Sequence, residues 1–349
     1  MAGGSLRDPR FTLCSGLPAC CCGGGPTFRA RQVQVKQRTL ETLYGLMHVP
    51  DWSDDLILRS LRQLGEWCAA EAILAGALLE PGDTLWDAGA FLGTFALGVA
   101  RQTTPGQVVA IEANPDVTGA LERNLGLLPC PARLAPCGVG ARGGWLGPAL
   151  EDPQNHGATR YSHAETRPEE GPAIPCRTLA DLRAEFGPYD MLKLDLEGME
   201  LDALRGDLWY LRDRHPLIWA ECNESPESLS LLGGLKWLEY DVLYVAFPAF
   251  RKTNHRGTEE LIYPMAYEAA LVAGPAERLA GLATRAAALV PGEDIICRPI
   301  ATSFDLRRAL FDTPRWARPD WTGLSRAELI ARLGRMEKGV ALREFLKDN

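Results

Sequence analysis

The sequence predicts an α/β fold with a doubly wound, mainly parallel sheet, and three observations carry that expectation. Short apolar runs alternate with helical patterns from Thr84 to Ala246. One stretch, Thr84–Gly93 (T-L-W-D-A-G-A-F-L-G), reads as a buried strand joined to a helix by a glycine turn. The next apolar run, Gln107–Glu112, ends on an acid roughly 20 residues further on, as in sheets that hold a nucleoside at their carboxyl edge.

Taken in order, residues 1–30 are rich in glycine, cysteine and arginine without periodicity and read as a disordered extension. Residues 31–48 alternate in part and predict a hairpin. From Ser53, read as an N-cap, Leu56, Ile57, Leu61, Leu64, Ala69, Ile73 and Leu74 recur near helical spacing up to Pro81. These one or two helices, the second part of a 31–80 segment, are expected to lie across the mouth of the glycine-turn site. The core domain is expected over 81–270. After the turn come a helix at Phe91–Arg101, the strand Gln107–Glu112, and a helix at Pro115–Leu127 with proline in its first turn. A strand over 132–140 and a polar loop over about 143–172 follow. Then helices at Thr178–Phe186, Glu200–Leu211 and Leu229–Tyr240 alternate with strands at Met191–Leu196, Leu217–Cys222 and Asp241–Ala246. Residues 271–349 read as a helical extension. It has an alanine-rich helix at Pro275–Val290 and a capping box, Ser325 and Glu328, ahead of the stripe Leu329, Leu333, Met336 and Val340. That stripe is expected to pack back on the domain or to pair two copies as a homo-oligomer.

At 349 residues and 46% hydrophobic composition the chain can bury a large core. One domain of about 200–250 residues with extensions fits better than two equal ones. A formal net charge of −8 and a pI near 5.3 argue against a nucleic-acid partner held by charge. No run approaches the roughly 18 consecutive apolar residues of a membrane span. The 10 cysteines contain no C-x-x-C pair and four of them crowd into the first 22 residues, which suits neither a zinc site nor a disulfide framework. A reducing, cytoplasmic compartment is expected. The five histidines form no H-x-x-H or H-x-x-x-H pair, so no metal is expected.

Asp87, Gly89, Ala90 and Gly93 are read as cofactor-binding, because a strand, a glycine turn and a helix place a ligand over the helix N-terminus. Glu112, with Ala113 and Asn114 beside it, is read as the group that accepts hydrogen bonds from a ribose diol. That role suits NAD and S-adenosylmethionine alike. The turn lacks the G-x-G-x-x-G spacing of a dinucleotide site, and an acid two residues before the first glycine suits a cofactor carrying an amine. The second dense cluster is Lys193-Leu-Asp195-Leu-Glu197-Gly198-Met-Glu200. Lys193 and Asp195 project to one face of a strand, where charges pair with each other or face a ligand. Asp195 or Glu197 is the candidate base for a hydroxyl substrate, with Lys193 tuning its charge; a structural ion pair is the alternative. His156, in the loop segment Asn155–Arg160, is a further candidate base. Asn155, Glu221 and Asn223 are candidates for contacts with a polar acceptor.

These segments resemble the FkbM-type family of S-adenosylmethionine-dependent methyltransferases from about Ser53 to Tyr267. The resemblance runs through D-A-G-A-F-L-G at 87–93, V-V-A-I-E-A-N-P at 108–115, N-H-G-A-T-R at 155–160 and H-P-L-I-W-A-E-C-N at 215–223. Its most specific part is K-L-D-L-E-G-M-E at 193–200. Phe91 departs from it, standing where the family has asparagine or another small polar residue. The resemblance implies a seven-stranded Rossmann-like sheet, S-adenosylmethionine as cofactor, and O-methylation of a hydroxyl on a sugar, glycan or other small molecule. Two alternatives come from other classes. A nicotinamide-dependent oxidoreductase would use the same sheet, but the glycine spacing and the lack of a Tyr-x-x-x-Lys pair count against it. A non-catalytic scaffold would keep the fold and bind partners through its C-terminal helices.

Overall fold

The structure, a computed structural model, describes residues 35–313 apart from 54, 148–153, 170–172 and 263–265. The expectations for 1–30 and for the stripe after Ser325 lie outside the described residues. In chain order the elements begin with the hairpin β1 (Gln37–Thr42) and β2 (Gly45–Pro50), then the helices α1 (Leu56–Gln63) and α2 (Ala69–Gly76). Next come β3 (Thr84–Ala88), α3 (Thr94–Val99), β4 (Gln107–Ile111), α4 (Pro115–Leu125) and β5 (Ala132–Ala135). The short strands β6 (Gly138–Val139), β7 (Gly144–Leu146), β8 (His163–Ala164) and β9 (Ile174–Arg177) follow, with a single 3-10 turn at His156–Ala158. Then α5 (Leu179–Phe186), β10 (Met191–Leu194), α6 (Glu200–Arg205), α7 (Leu208–Arg214), β11 (Leu217–Glu221), α8 (Pro226–Trp237) and β12 (Asp241–Pro248) complete the alternating part. The last elements are β13 (Tyr267–Gly274), α9 (Ala276–Leu279), α10 (Leu282–Leu289), β14 (Ile296–Pro299) and α11 (Ser303–Phe311).

The main sheet runs β5-β4-β3-β10-β11-β13-β12-β14. Its first five strands are parallel, and β13 is inserted antiparallel between β11 and β12. Strand side chains alternate faces, so Trp86, Val109, Leu192 and Ile218 join one core with residues of α5, α7, α8 and α11. Leu85, Val108, Met191 and Trp219 join another with residues of α2, α3 and α10. Both faces are therefore covered, as a parallel sheet requires.

The expected doubly wound sheet is present, with corrections. It has eight strands, not seven, because β14 pairs antiparallel with β12 at the edge. The division expected at 270 falls inside β13, so the following segment supplies sheet as well as helix. The alanine-rich helix is split into α9 and α10 at Gly281, which adopts φ +79°. The helix expected over 200–211 breaks between α6 and α7, and the strand expected over 132–140 divides into β5 and β6. The expected loop carries β7 and β8, which with β6 and β9 make a separate sheet of order β6-β9-β7-β8. The first helix is capped by Asp55, whose side chain accepts from the Leu58 N–H, and not by Ser53.

Candidate functional site

The site is assembled at the carboxyl ends of β3, β4, β10 and β11. The chain turns out of β3 at Gly89, with φ +83°, a conformation that disfavours any side chain. A Cβ there would also collide with the backbone carbonyl of Asp195. The close approach joins the rims of β3 and β10, and the Asp195 N–H donates to the Ala88 carbonyl at 3.0 Å. The Gly89 and Ala90 N–H groups both donate to the Ile111 carbonyl, and Gly93 (φ +83°) caps α3. Glu112, buried at the end of β4, accepts the Phe91 N–H on one oxygen and the Asn114 N–H on the other, each at 2.7 Å. Burial pushes its carboxyl up to about 7 against those two bonds. Asn114 in turn caps α4 by accepting from the Asp116 N–H, and Ala113 packs against the small sheet's core.

Asp87 is completely buried, and neither carboxylate oxygen makes a well-formed hydrogen bond. Its neighbouring cation is Lys193 Nζ at 3.9 Å. Burial raises its pKa to about 6, with Lys193 opposing and Asp195 reinforcing the rise. Lys193 lies opposite Asp87 in the β3–β10 register, and its Nζ donates to Asp195 Oδ2 at 2.8 Å and stands 5.1 Å from the Phe95 ring centroid. Burial alone would favour the neutral amine, but Asp195, Glu71 and Asp87 outweigh it and raise the lysine pKa. Glu71, from α2, accepts the Trp219 indole N–H at 2.8 Å, and burial moves its pKa up to about 7.

Beyond Asp195 the rim is acidic. One carboxylate oxygen each of Asp195, Glu197 and Glu221 lie within 4.8 Å of one another. Glu197 sits in the left-handed region at φ +53°, followed by Gly198 at φ +105°, and it pairs with Arg160 at 3.5 Å. Glu221 accepts the Asn223 side-chain amide at 2.8 Å. Burial first, then the charges of Glu197 and Asp195, hold the Glu221 carboxyl well above the ordinary carboxylate range. Glu197, Glu221 and Asn223, though not Asp195, border a cavity of about 170 Å³ whose lining also includes Arg160, Tyr161 and Ser228. Glu200 stays out of this chemistry, because its Oε1 accepts the Leu196 and Gly198 N–H groups and fixes the turn.

The structure thus brings Asp87, Lys193 and Asp195 into one chain of contacts, and Asp195, Glu197 and Glu221 into one cluster. His156 is not among the residues lining the cavity; it stacks on Trp52, with ring centroids 3.9 Å apart. Asn155 begins the 3-10 turn beside it, its side-chain oxygen buried without a hydrogen-bond partner. Sequence reasoning missed Glu71 and Arg160; it put Glu221 on the rim of Asp195 but not the close approach of the three carboxylates, a kind of arrangement that can hold a metal ion. Histidine spacing could not reveal it. The acids at strand ends of one parallel sheet could have, once β10 and β11 were placed side by side.

Numbered from the β5 edge, the parallel strands run 3-2-1-4-5, and the reversed strand lies between the fifth and sixth. With the glycine turn and acidic strand ends, this is a Rossmann-like doubly wound domain. Residues 87–238, less than half of the chain, match the family model described as the methyltransferase FkbM domain. Among solved structures, the methyltransferase FkbM of Methylobacillus flagellatus is similar at 16% identity and TM-score 0.36, over 64% of this chain and 56% of that one. Precorrin-6y C5,15-methyltransferase of Geobacter metallireducens is similar at 17% identity and TM-score 0.35, over 59% and 87%. The O-methyltransferase TomG of Streptomyces achromogenes, solved with the cofactor, is similar at 12% identity and TM-score 0.32, over 59% and 78%. The chain thus spans little more than half the length of the first of these. No curated protein matches the chain. Among the described residues, no helix is long and apolar enough to cross a membrane.

Proposed function

We propose that the chain transfers the methyl group of S-adenosylmethionine to a hydroxyl of a compact polar acceptor, such as a sugar, a glycan terminus or a natural-product alcohol. The observation that carries this reading is the acidic cleft of Asp195, Glu197 and Glu221, joined through Lys193 to the unsatisfied Asp87 carboxylate. The residues present fit the cofactor. Asp87 is a buried acceptor that lacks a well-formed hydrogen bond and suits an ammonium group. Each Glu112 oxygen keeps a lone pair for a ribose hydroxyl after taking one backbone N–H.

When bound, the cofactor supplies an electrophilic methyl group on a sulfonium, so the protein's main task is alignment. Asp195, its carboxylate oriented by Lys193, accepts the acceptor's hydroxyl proton. Arg160 and the Glu221–Asn223 pair hold neighbouring acceptor hydroxyls, and Glu197 closes the same cleft. The reversed β13 supports this reading over a nicotinamide oxidoreductase, whose sheet runs 3-2-1-4-5-6. We assign the catalytic unit to 81–270 with β13 and β14 completed from the following segment. Cytoplasmic location and pairing of two copies through the C-terminal helices belong to the same proposal. The test is Asp195→Asn: turnover is expected to fall roughly a hundredfold or more with cofactor affinity preserved. Equal loss of both would move Asp195 into the cofactor site, and unchanged turnover would reject it as the base.

A further inference from the structure

We propose that Trp52, Phe91 and His156 form an aromatic wall that closes the cofactor chamber beside Glu112, His156 serving as a positioning ring and not as a base. The inference rests on the methyltransferase reading above. The rings come from three distant segments: Trp52 from the link between β2 and α1, Phe91 from the glycine turn, and His156 from the 3-10 turn. Trp52 lies 3.9 Å from His156 and 6.4 Å from Phe91 between ring centroids, at tilts of 36° and 34°. All three residues are half-buried, so part of each is left open.

The assembly is held firmly. The buried Asp55 carboxylate accepts the Leu58 N–H with one oxygen and the His156 N–H with the other, at 2.8 and 2.9 Å. The Leu56 N–H donates to the Gln154 carbonyl at 2.9 Å, and a Cβ on Gly157 would come 2.6 Å from Ile57 Cδ1. Helix α1 and the 154–157 loop are therefore one body. Arg38 and Arg62 both donate to the Trp52 carbonyl, at 3.2 and 3.3 Å.

Phe91 supplies the link to the cofactor. Its N–H donates to Glu112 Oε2 at 2.7 Å, which fixes the residue to the carboxylate assigned to the ribose. Its φ of +46° lies in the left-handed region, where glycine or asparagine costs less. Backbone geometry alone would favour those residues; one side of the ring, like that of Trp52, packs on the cluster of Met47, Leu58 and Leu92, and the half-buried remainder is the part left for a ligand. That part offers the adenosyl group a contact face and shields it from water. The imidazole of His156 is stacked on Trp52, with ring centroids 3.9 Å apart.

The test pairs H156F, which keeps a ring and removes both nitrogens, with H156A, which removes the ring. The bond from the His156 backbone to Asp55 survives in both. Binding of S-adenosylhomocysteine is measured by calorimetry, and turnover separately. H156F, which keeps a ring beside Trp52, is expected to recover most of the affinity and turnover that H156A loses. H156A and W52A are expected to bind S-adenosylhomocysteine about tenfold more weakly, with W52F recovering most of the loss. Abolished turnover in H156F with normal cofactor binding would make His156 the base and overturn the proposal. Unchanged affinity in H156A and W52A would remove the wall while leaving the methyltransferase reading intact. Failure of the wild-type chain to bind S-adenosylhomocysteine would overturn that reading itself, and the wall with it.

Discussion

Cofactor affinity should depend on pH through Asp87. In the free chain its carboxyl is raised to about 6, because burial leaves it without good hydrogen bonds. An ammonium ligand needs the ionised form. At pH 7 about ten molecules in eleven are ionised, and at pH 5 about one in eleven. The dissociation constant of S-adenosylhomocysteine should therefore rise about tenfold from pH 7 to pH 5, with close to one proton released on binding near pH 5. Glu112, raised to about 7, steepens the dependence to the extent that the ribose hydroxyls need its anion. Calorimetry in two buffers of different ionisation enthalpy reads both quantities, and Asp87→Asn should bind weakly at every pH. The same raised values act on stability. The folded free chain holds protons that the unfolded chain has lost, so this contribution is complete below about pH 4 and is lost as pH rises through 6 to 7. For Asp87, moving from 3.8 to about 6, it amounts to about 3 kcal/mol. A flat affinity from pH 5 to 7.5 with no proton exchange would refute the assignment of Asp87 to the ammonium group.

Two further outcomes are expected. Gly89→Ala places a methyl group against the Asp195 carbonyl in a left-handed conformation, and should cost about 2–5 kcal/mol in urea denaturation while lowering cofactor affinity and turnover together. A wild-type urea midpoint in that variant would contradict the tight β3–β10 approach. Glu66, in the turn between α1 and α2, accepts Arg251 Nε and Nη2 at 2.7 and 2.6 Å and the His255 N–H at 2.9 Å, tying the N-terminal helices to the segment after β12. Glu66→Gln leaves the mostly buried Arg251 without its counter-charge and should cost about 3 kcal/mol. A loss below about 1 kcal/mol would mean that the pair does little to hold the two segments together.

The alternating α/β core was legible because its signals are local. Thr84–Ala88 and Gln107–Ile111 are short apolar runs bounded by turn residues, and Asn114 with Pro115 marks the start of α4 in sequence as in structure. The segment from 267 onward was misread for a physical reason. Tyr267–Gly274 (Y-E-A-A-L-V-A-G) has one β-branched residue and three alanines, so its local propensity is weak. It becomes β13 because both of its edges find partners, β11 on one side and β12 on the other. Gly281 then adopts a left-handed conformation that divides the alanine-rich run.

By itself, the sequence determined where the glycine turn after β3 lies, which acids close β3, β4 and β10, and the doubly wound class of the sheet. Each of these depends on residues within one strand–turn–helix unit, whose spacing is set by backbone geometry. Tertiary structure alone decided that Lys193 gathers Asp87, Asp195 and Glu71, how closely Glu221 approaches Asp195 and Glu197 on the rim they share, and that His156 stacks on Trp52. Those partners stand up to about 120 residues apart, and no local periodicity records which distant side chains a folded sheet brings together.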